Sequence, residues 1–136
     1  MVDNAPDELP PELRAFLHSC IETIEQVELL IMLRGSDRMR TAREAAAELG
    51  VEVGRARRDL ETLAARGLFE VRVGDELEYR YRPKSGELSR YCDLLAQHYV
   101  RSRRAVLGYV ATDSHLSIKR FADAFKLRAS PDEPQK

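Results

Sequence analysis

Apolar residues in the first quarter of the chain recur at intervals of three and four. Leu13, Phe16, Leu17, Cys20, Ile21 and Ile24 share one face, and the series continues through Val27, Leu30, Ile31 and Leu33 to Gly35. That period is helical. Pro10-Pro11 suits the entry, because proline at the first helical position forfeits no hydrogen bond. Residues 11–35 are therefore expected as one helix, or as two with a bend near Ile21 to Thr23. After the polar loop GSDRMR, Thr41 stands three residues before Glu44, the spacing of a capping box. TAREAAAELG then gives a short helix closed by Gly50. VEV makes a turn, and a second helix runs from about Val53 to Arg66 before Gly67. Two helices of this length around a tight turn predict a helix-turn-helix.

The period then changes to two. Phe69, Val71 and Val73 alternate with Glu70 and Arg72, Gly74-Asp75 offers a turn, and Leu77, Tyr79 and Tyr81 alternate with Glu78, Arg80 and Arg82. This predicts a β-hairpin, with an aliphatic and aromatic side opposite a charged one. Beyond PKSG, a helix is expected from about Glu87 to Val110, with Leu88, Tyr91, Leu95, Tyr99, Ser102, Val106 and Tyr109 near one face. Such a helix spans about 36 Å, more than a small domain needs internally, so something should pack along it. Asp113 or Ser114 can cap a last amphipathic helix, HLSIKRFADAFKLR. The expected fold class is mainly α with a small β-hairpin. Its divisions are a disordered N-terminus at 1–10, N-terminal helices at 11–35, a helix-turn-helix core with its hairpin at 36–83, C-terminal helices at 84–128 and a disordered tail at 129–136.

Composition narrows the class without naming a function. The chain of 136 residues is long enough for one domain with a core and too short for two ordinary ones. At 43% hydrophobic and 33% charged it is neither a disordered chain nor a membrane protein. The acidic start MVDNAPDELPPELR is the opposite of a secretory signal, so a cytoplasmic protein with no membrane association is expected. A net charge of −1 argues against a nucleic-acid partner, but the acids are concentrated at the ends. Without residues 1–12 and 131–136 the body holds 21 basic groups against 17 acidic ones.

The succession of elements resembles the winged helix-turn-helix superfamily of bacterial regulators, in the MarR-like and ArsR-like arrangement. The residues that carry the resemblance are Ala42, Ala45, Ala46, Leu49, Gly50 and Val51 in the first helix and turn, then Ala56, Leu60, Leu63, Gly67 and Leu68. It covers about residues 23 to 83. It implies a wing at the hairpin, flanking helices that make a homodimer, and double-stranded DNA as the partner, with the second helix in the major groove. One position departs from the pattern. Glu52 stands where such regulators usually carry serine or threonine, and its carboxylate would repel an approaching phosphate.

On that second helix, with Ala56, Leu60 and Leu63 turned inward, Arg55, Arg57 and Arg58 face solvent. Asp59 and Glu61 each lie four residues after Arg55 and Arg57, where they can neutralise them. Arg58 is then the unpaired cation, and the neighbouring Gly54 leaves room for a DNA backbone. Arg40 and Arg43 at the first helix are expected to meet phosphates. Arg72, Arg80 and Arg82 of the wing are expected at the backbone or the adjacent minor groove. A charged solvated face would account for the helix alone, and the acids of the wing leave open a module that docks on a protein and binds no DNA.

Other chemistry is sparse. His18, His98, His115, Cys20 and Cys92 make neither a CxxC nor an i,i+4 pair, so the expectation is no metal, no cofactor and two reduced thiols. No nucleophile-base-acid spacing, phosphate loop or catalytic carboxylate pair stands out, and an enzyme is not expected. Tyr91, Tyr99 and Tyr109 are read as core or dimer packing, Arg101, Arg103 and Arg104 as a solvated stretch. Any small-molecule effector stays unassigned.

Overall fold

Pro10 and Pro11 open α1 (Pro11–Cys20), which buries Leu13, Phe16 and Leu17. The structure, a computed structural model, describes residues 9–112. The backbone turns extended at Ile21, and α2 (Ile24–Arg34) starts behind Thr23, whose hydroxyl accepts the Gln26 N–H at 3.1 Å. The Gln26 side chain accepts the Glu22 N–H at 2.7 Å. The break between the two helices therefore leaves its amides paired locally.

Arg40–Thr41 forms a short strand, β1, directly before α3 (Ala42–Leu49). Thr41 closes a reciprocal capping box with Glu44, and Gly50 ends the helix in the left-handed region at φ 73°. After the turn, α4 (Val53–Ala65) directs Ala56, Leu60 and Leu63 inward. At its exit Gly67 has φ +85°, the left-handed region where a side chain is strained, so backbone conformation selects glycine. The hairpin follows as β2 (Phe69–Arg72) and β3 (Glu78–Tyr81), antiparallel, with Val71 opposite Tyr79 and Arg72 opposite Glu78. Ser85 caps α5 (Gly86–Arg101) through the Leu88 N–H. The chain is helical again over 103–112.

One core joins these elements. Leu30 and Leu33 of α2, Ala45 of α3, Leu60 and Leu63 of α4, Tyr79 of β3 and Leu95 of α5 belong to it, together with Val106 and Val110. At ~25 cal/mol per Å2 of apolar surface, residues of this kind carry most of the folding free energy.

The mainly α class with a small hairpin is what the chain adopts, with three differences of detail. First, the hairpin is part of a three-stranded antiparallel sheet of order β1-β3-β2, because Arg40 and Thr41 pair with Tyr79 and Glu78. Two residues are too few to show a period of two. Second, the apolar side of the hairpin is buried only at its base. Tyr79 is 1% exposed, whereas Val73 is 80% exposed, because the tip projects past the helices. Third, the expected continuous helix from Glu87 to Val110 is interrupted at Ser102, whose carbonyl accepts the N–H groups of Ala105 and Val106 and starts a new helical turn. The interruption returns the chain to the core, where Val106 is buried and the Tyr109 hydroxyl donates to the Arg14 carbonyl. Most of the terminal segments expected to be disordered, and the last helix expected in HLSIKRFADAFKLR, lie outside the described residues.

Candidate nucleic-acid interface

The helix pair α3–α4 is fixed by small residues on one side and a glycine turn on the other. Ala42, Ala45 and Ala46 let α3 approach α4 closely, and the left-handed Gly50 redirects the chain into Val51 and Glu52. Burial of Ala56, Leu60 and Leu63 then leaves Arg55, Arg57 and Arg58 exposed on α4. Glu52 is the N-cap residue of α4 but makes no side-chain cap hydrogen bond. Its carboxylate and one Arg58 amino group flank Gly54, at 3.9 and 3.8 Å from where a Cβ would be.

The three arginines are not equivalent, and their differences are not those expected from sequence spacing. Arg55 pairs with Glu25 of α2 at 3.3 Å. Asp59, expected to neutralise it, instead accepts from the buried Gln26 amide at 3.2 Å. Loss of solvent raises the Asp59 carboxyl above its ordinary range, more than the Gln26 hydrogen bond and the nearby guanidinium groups lower it. Arg57 makes no ion pair with Glu61, and neither Arg57 nor Arg58 has an ion-pair partner among the described residues. Two free guanidinium groups therefore stand on the solvent face of α4 rather than one.

Arg40 has no place on this surface. It is 6% exposed, its Nε donates to Glu48 at 3.1 Å, and it reaches the Met32 carbonyl. Its position in β1 under Tyr79 turns it inward, which the sequence could not show without the strand. Arg43 is exposed and pairs with Glu76 near the hairpin tip. On the charged side of the hairpin, Arg72 donates to Glu78 through both Nε and a terminal nitrogen. Arg80 does the same with Glu70. Arg82 lies 3.7 Å from the same Glu70. Arg80 is the first cause of the lowered Glu70 pKa, so that carboxylate is held ionised. Both two-nitrogen pairs join residues directly opposite in the strand register.

A cleft of about 180 Å3 separates the hairpin from the helix pair, lined by Ala42, Arg57, Glu76, Leu77 and Tyr79. No group of histidine, cysteine and carboxylate side chains among the described residues could hold a metal. No helix among them is long and apolar enough to cross a membrane.

No protein-family model and no curated protein matches the chain. Solved structures do. A homodimeric winged helix-turn-helix DNA-binding domain from Mycobacterium bovis, a possible ArsR-family transcriptional regulator, superposes with a TM-score of 0.51. It is 20% identical, over 67% of this chain and 82% of that one. Wild-type apo MarR from E. coli superposes at 0.50, with 16% identity over 83% and 84% of the two chains. A cysteine-to-serine mutant of the same MarR gives 0.50 and 15% over 85% of each. The fold is a winged helix-turn-helix. In this fold α4 is the second helix of the helix-turn-helix, β2 and β3 are the wing, and the cleft beside Arg57 lies between wing and helix pair.

Proposed function

We propose that the chain is a cytoplasmic, non-enzymatic transcriptional regulator that binds double-stranded DNA as a homodimer. On this reading α4 enters the major groove while the wing and Arg43 meet the sugar-phosphate backbone or the adjacent minor groove. The observation that carries it is the solvent face of α4, where Arg57 and Arg58 have no ion-pair partner among the described residues and Gly54, one turn before Arg58, presents no side chain. Arginine on such a helix can donate two hydrogen bonds to guanine, worth ~1 to 3 kcal/mol of base discrimination. Arg55 is a weaker candidate, held by Glu25, and Arg72, Arg80 and Arg82 reach phosphates only by parting from Glu78 and Glu70.

Fluorescence titration of the full chain with duplex DNA at low salt tests the proposal. Arg58→Ala should weaken binding to a selected operator about tenfold or more and relax the base preference at one position. Absence of any duplex binding by the parent protein overturns it. A second reading, a winged-helix module that docks on another protein, is favoured by the internally paired wing arginines and by exposed Val71, Val73 and Leu77 around the tip. Under that reading the uncharged change Val73→Ser weakens partner binding that survives nuclease treatment; under the DNA reading the same change, which adds no charge near a phosphate, leaves duplex affinity nearly unchanged.

A further inference from the structure

Among the ion pairs around the wing, the one between the wing tip and α3 differs from those within the strands. Arg72–Glu78 and Arg80–Glu70 join residues facing each other across adjacent strands, so the backbone itself holds each pair together. Arg43–Glu76 joins the first turn of α3 to the loop at the wing tip, 33 residues apart, each two positions beyond the last β1–β3 partners, Thr41 and Glu78, so neither residue is itself strand-paired. Both side chains are well exposed, 70% and 48%. Glu76 also lines the cleft between wing and helix pair, and so does Arg57, which has no ion-pair partner among the described residues. Glu76 is thus paired with Arg43 of α3 and shares with Arg57 of α4 the lining of a cleft of about 180 Å3, large enough for a phosphate group.

We propose that this cleft and the Arg43–Glu76 pair beside it form a binding site for a backbone phosphate of DNA, with Arg57 of the lining and Arg43 as its ligands and the Glu76 carboxylate as the resident anion that the phosphate displaces. The inference rests on the DNA reading and specifies how the wing takes part in it. A phosphodiester offers the guanidinium groups the same pair of anionic oxygens as a carboxylate, so the exchange keeps their donors satisfied. Glu76 then weakens DNA binding twice, by occupying Arg43 and by repelling the incoming phosphate. The register-fixed pairs of the strands stay in place and keep the wing rigid while the exchange occurs.

The test compares the parent, Glu76→Gln and the triple variant E76Q/R43A/R57A as full chains, titrated with a fluorescent random-sequence duplex at several salt concentrations. Glu87→Gln, on the exposed first turn of α5, serves as a control for net charge. E76Q should tighten binding about tenfold and steepen the slope of log K against log salt by about one unit, as expected when one more phosphate is neutralised. E87Q should leave the slope unchanged, and the triple variant should bind no more tightly than the parent. If the parent binds duplex and E76Q changes neither affinity nor slope, the phosphate site is refuted while the DNA reading stands. A gain that persists in the triple variant refutes it equally. If parent and E76Q both fail to bind any duplex, both readings fall.

Discussion

A single arginine illustrates how far charge differs from availability. Arg40 in β1 and Arg58 in α4 are the same residue type, yet Arg40 is 6% exposed and tied to Glu48, whereas Arg58 is exposed with no ion-pair partner among the described residues. Removing a partner from a largely buried charged hydrogen bond costs ~1.5 to 3 kcal/mol. Arg40→Ala should therefore lower the urea unfolding free energy by about 2 kcal/mol and leave the duplex affinity of the folded protein unchanged. Arg58→Ala should do the reverse. Equal stability losses in the two variants would contradict this division of roles. The thiols separate in the same way. Burial pushes the Cys92 thiol up to about 11, and the residue is fully enclosed, while Cys20 is only partly buried, with a thiol raised by burial and partly drawn back by Arg66. At pH 8 both are thiols in the fold, so accessibility decides their reaction. Native alkylation followed by mass spectrometry should label Cys20 first and Cys92 only at the rate of unfolding.

The element scale is where α4 meets α2. Asp59 is raised above the usual aspartate range chiefly by burial, so its ionised form is disfavoured by the fold. A group whose pKa is higher folded than unfolded stabilises fully below the unfolded value and loses that contribution as pH rises through the folded one. Asp59→Asn keeps an oxygen for the Gln26 amide and removes the charge. Its melting temperature should therefore exceed that of the parent at pH 7, with the difference closing as pH falls below the ordinary aspartate range. A difference independent of pH would exclude Asp59 as its source. This junction also marks the limit of what the sequence discloses. The capping box of α3, the glycine stops and the inward face of α4 depend on residues three or four apart, and a period displays them. The Arg55–Glu25 and Gln26–Asp59 contacts join residues 30 and 33 apart, and no spacing displays those. The two-residue strand that buries Arg40 and the interruption at Ser102 are likewise decided by packing. The candidate surface was consequently legible as α4 and wing, and Arg58 as its unpaired cation, while the release of Arg57 and the burial of Arg40 were not.

At the scale of the whole molecule, the near-neutral charge limits what one chain can do with DNA. The wing arginines and Arg55 are occupied by the protein's own carboxylates, leaving Arg57 and Arg58 as the free guanidinium groups of α4. Two phosphate-range cations correspond to a salt slope of about −2 and weak binding at physiological ionic strength. A homodimer doubles that slope and requires both half-sites on one face of the duplex, about one helical turn apart. Light scattering should then give twice the 15.5 kDa chain mass. Insertion of about five base pairs between the half-sites of a selected operator turns one half-site to the far side of the helix. Affinity should fall to that of an isolated half-site and the salt slope should halve, both measured by anisotropy. An operator that tolerates the insertion with undiminished affinity and an unaltered slope would falsify the dimer as the DNA-binding unit, because neither chain would then depend on the geometry of the other.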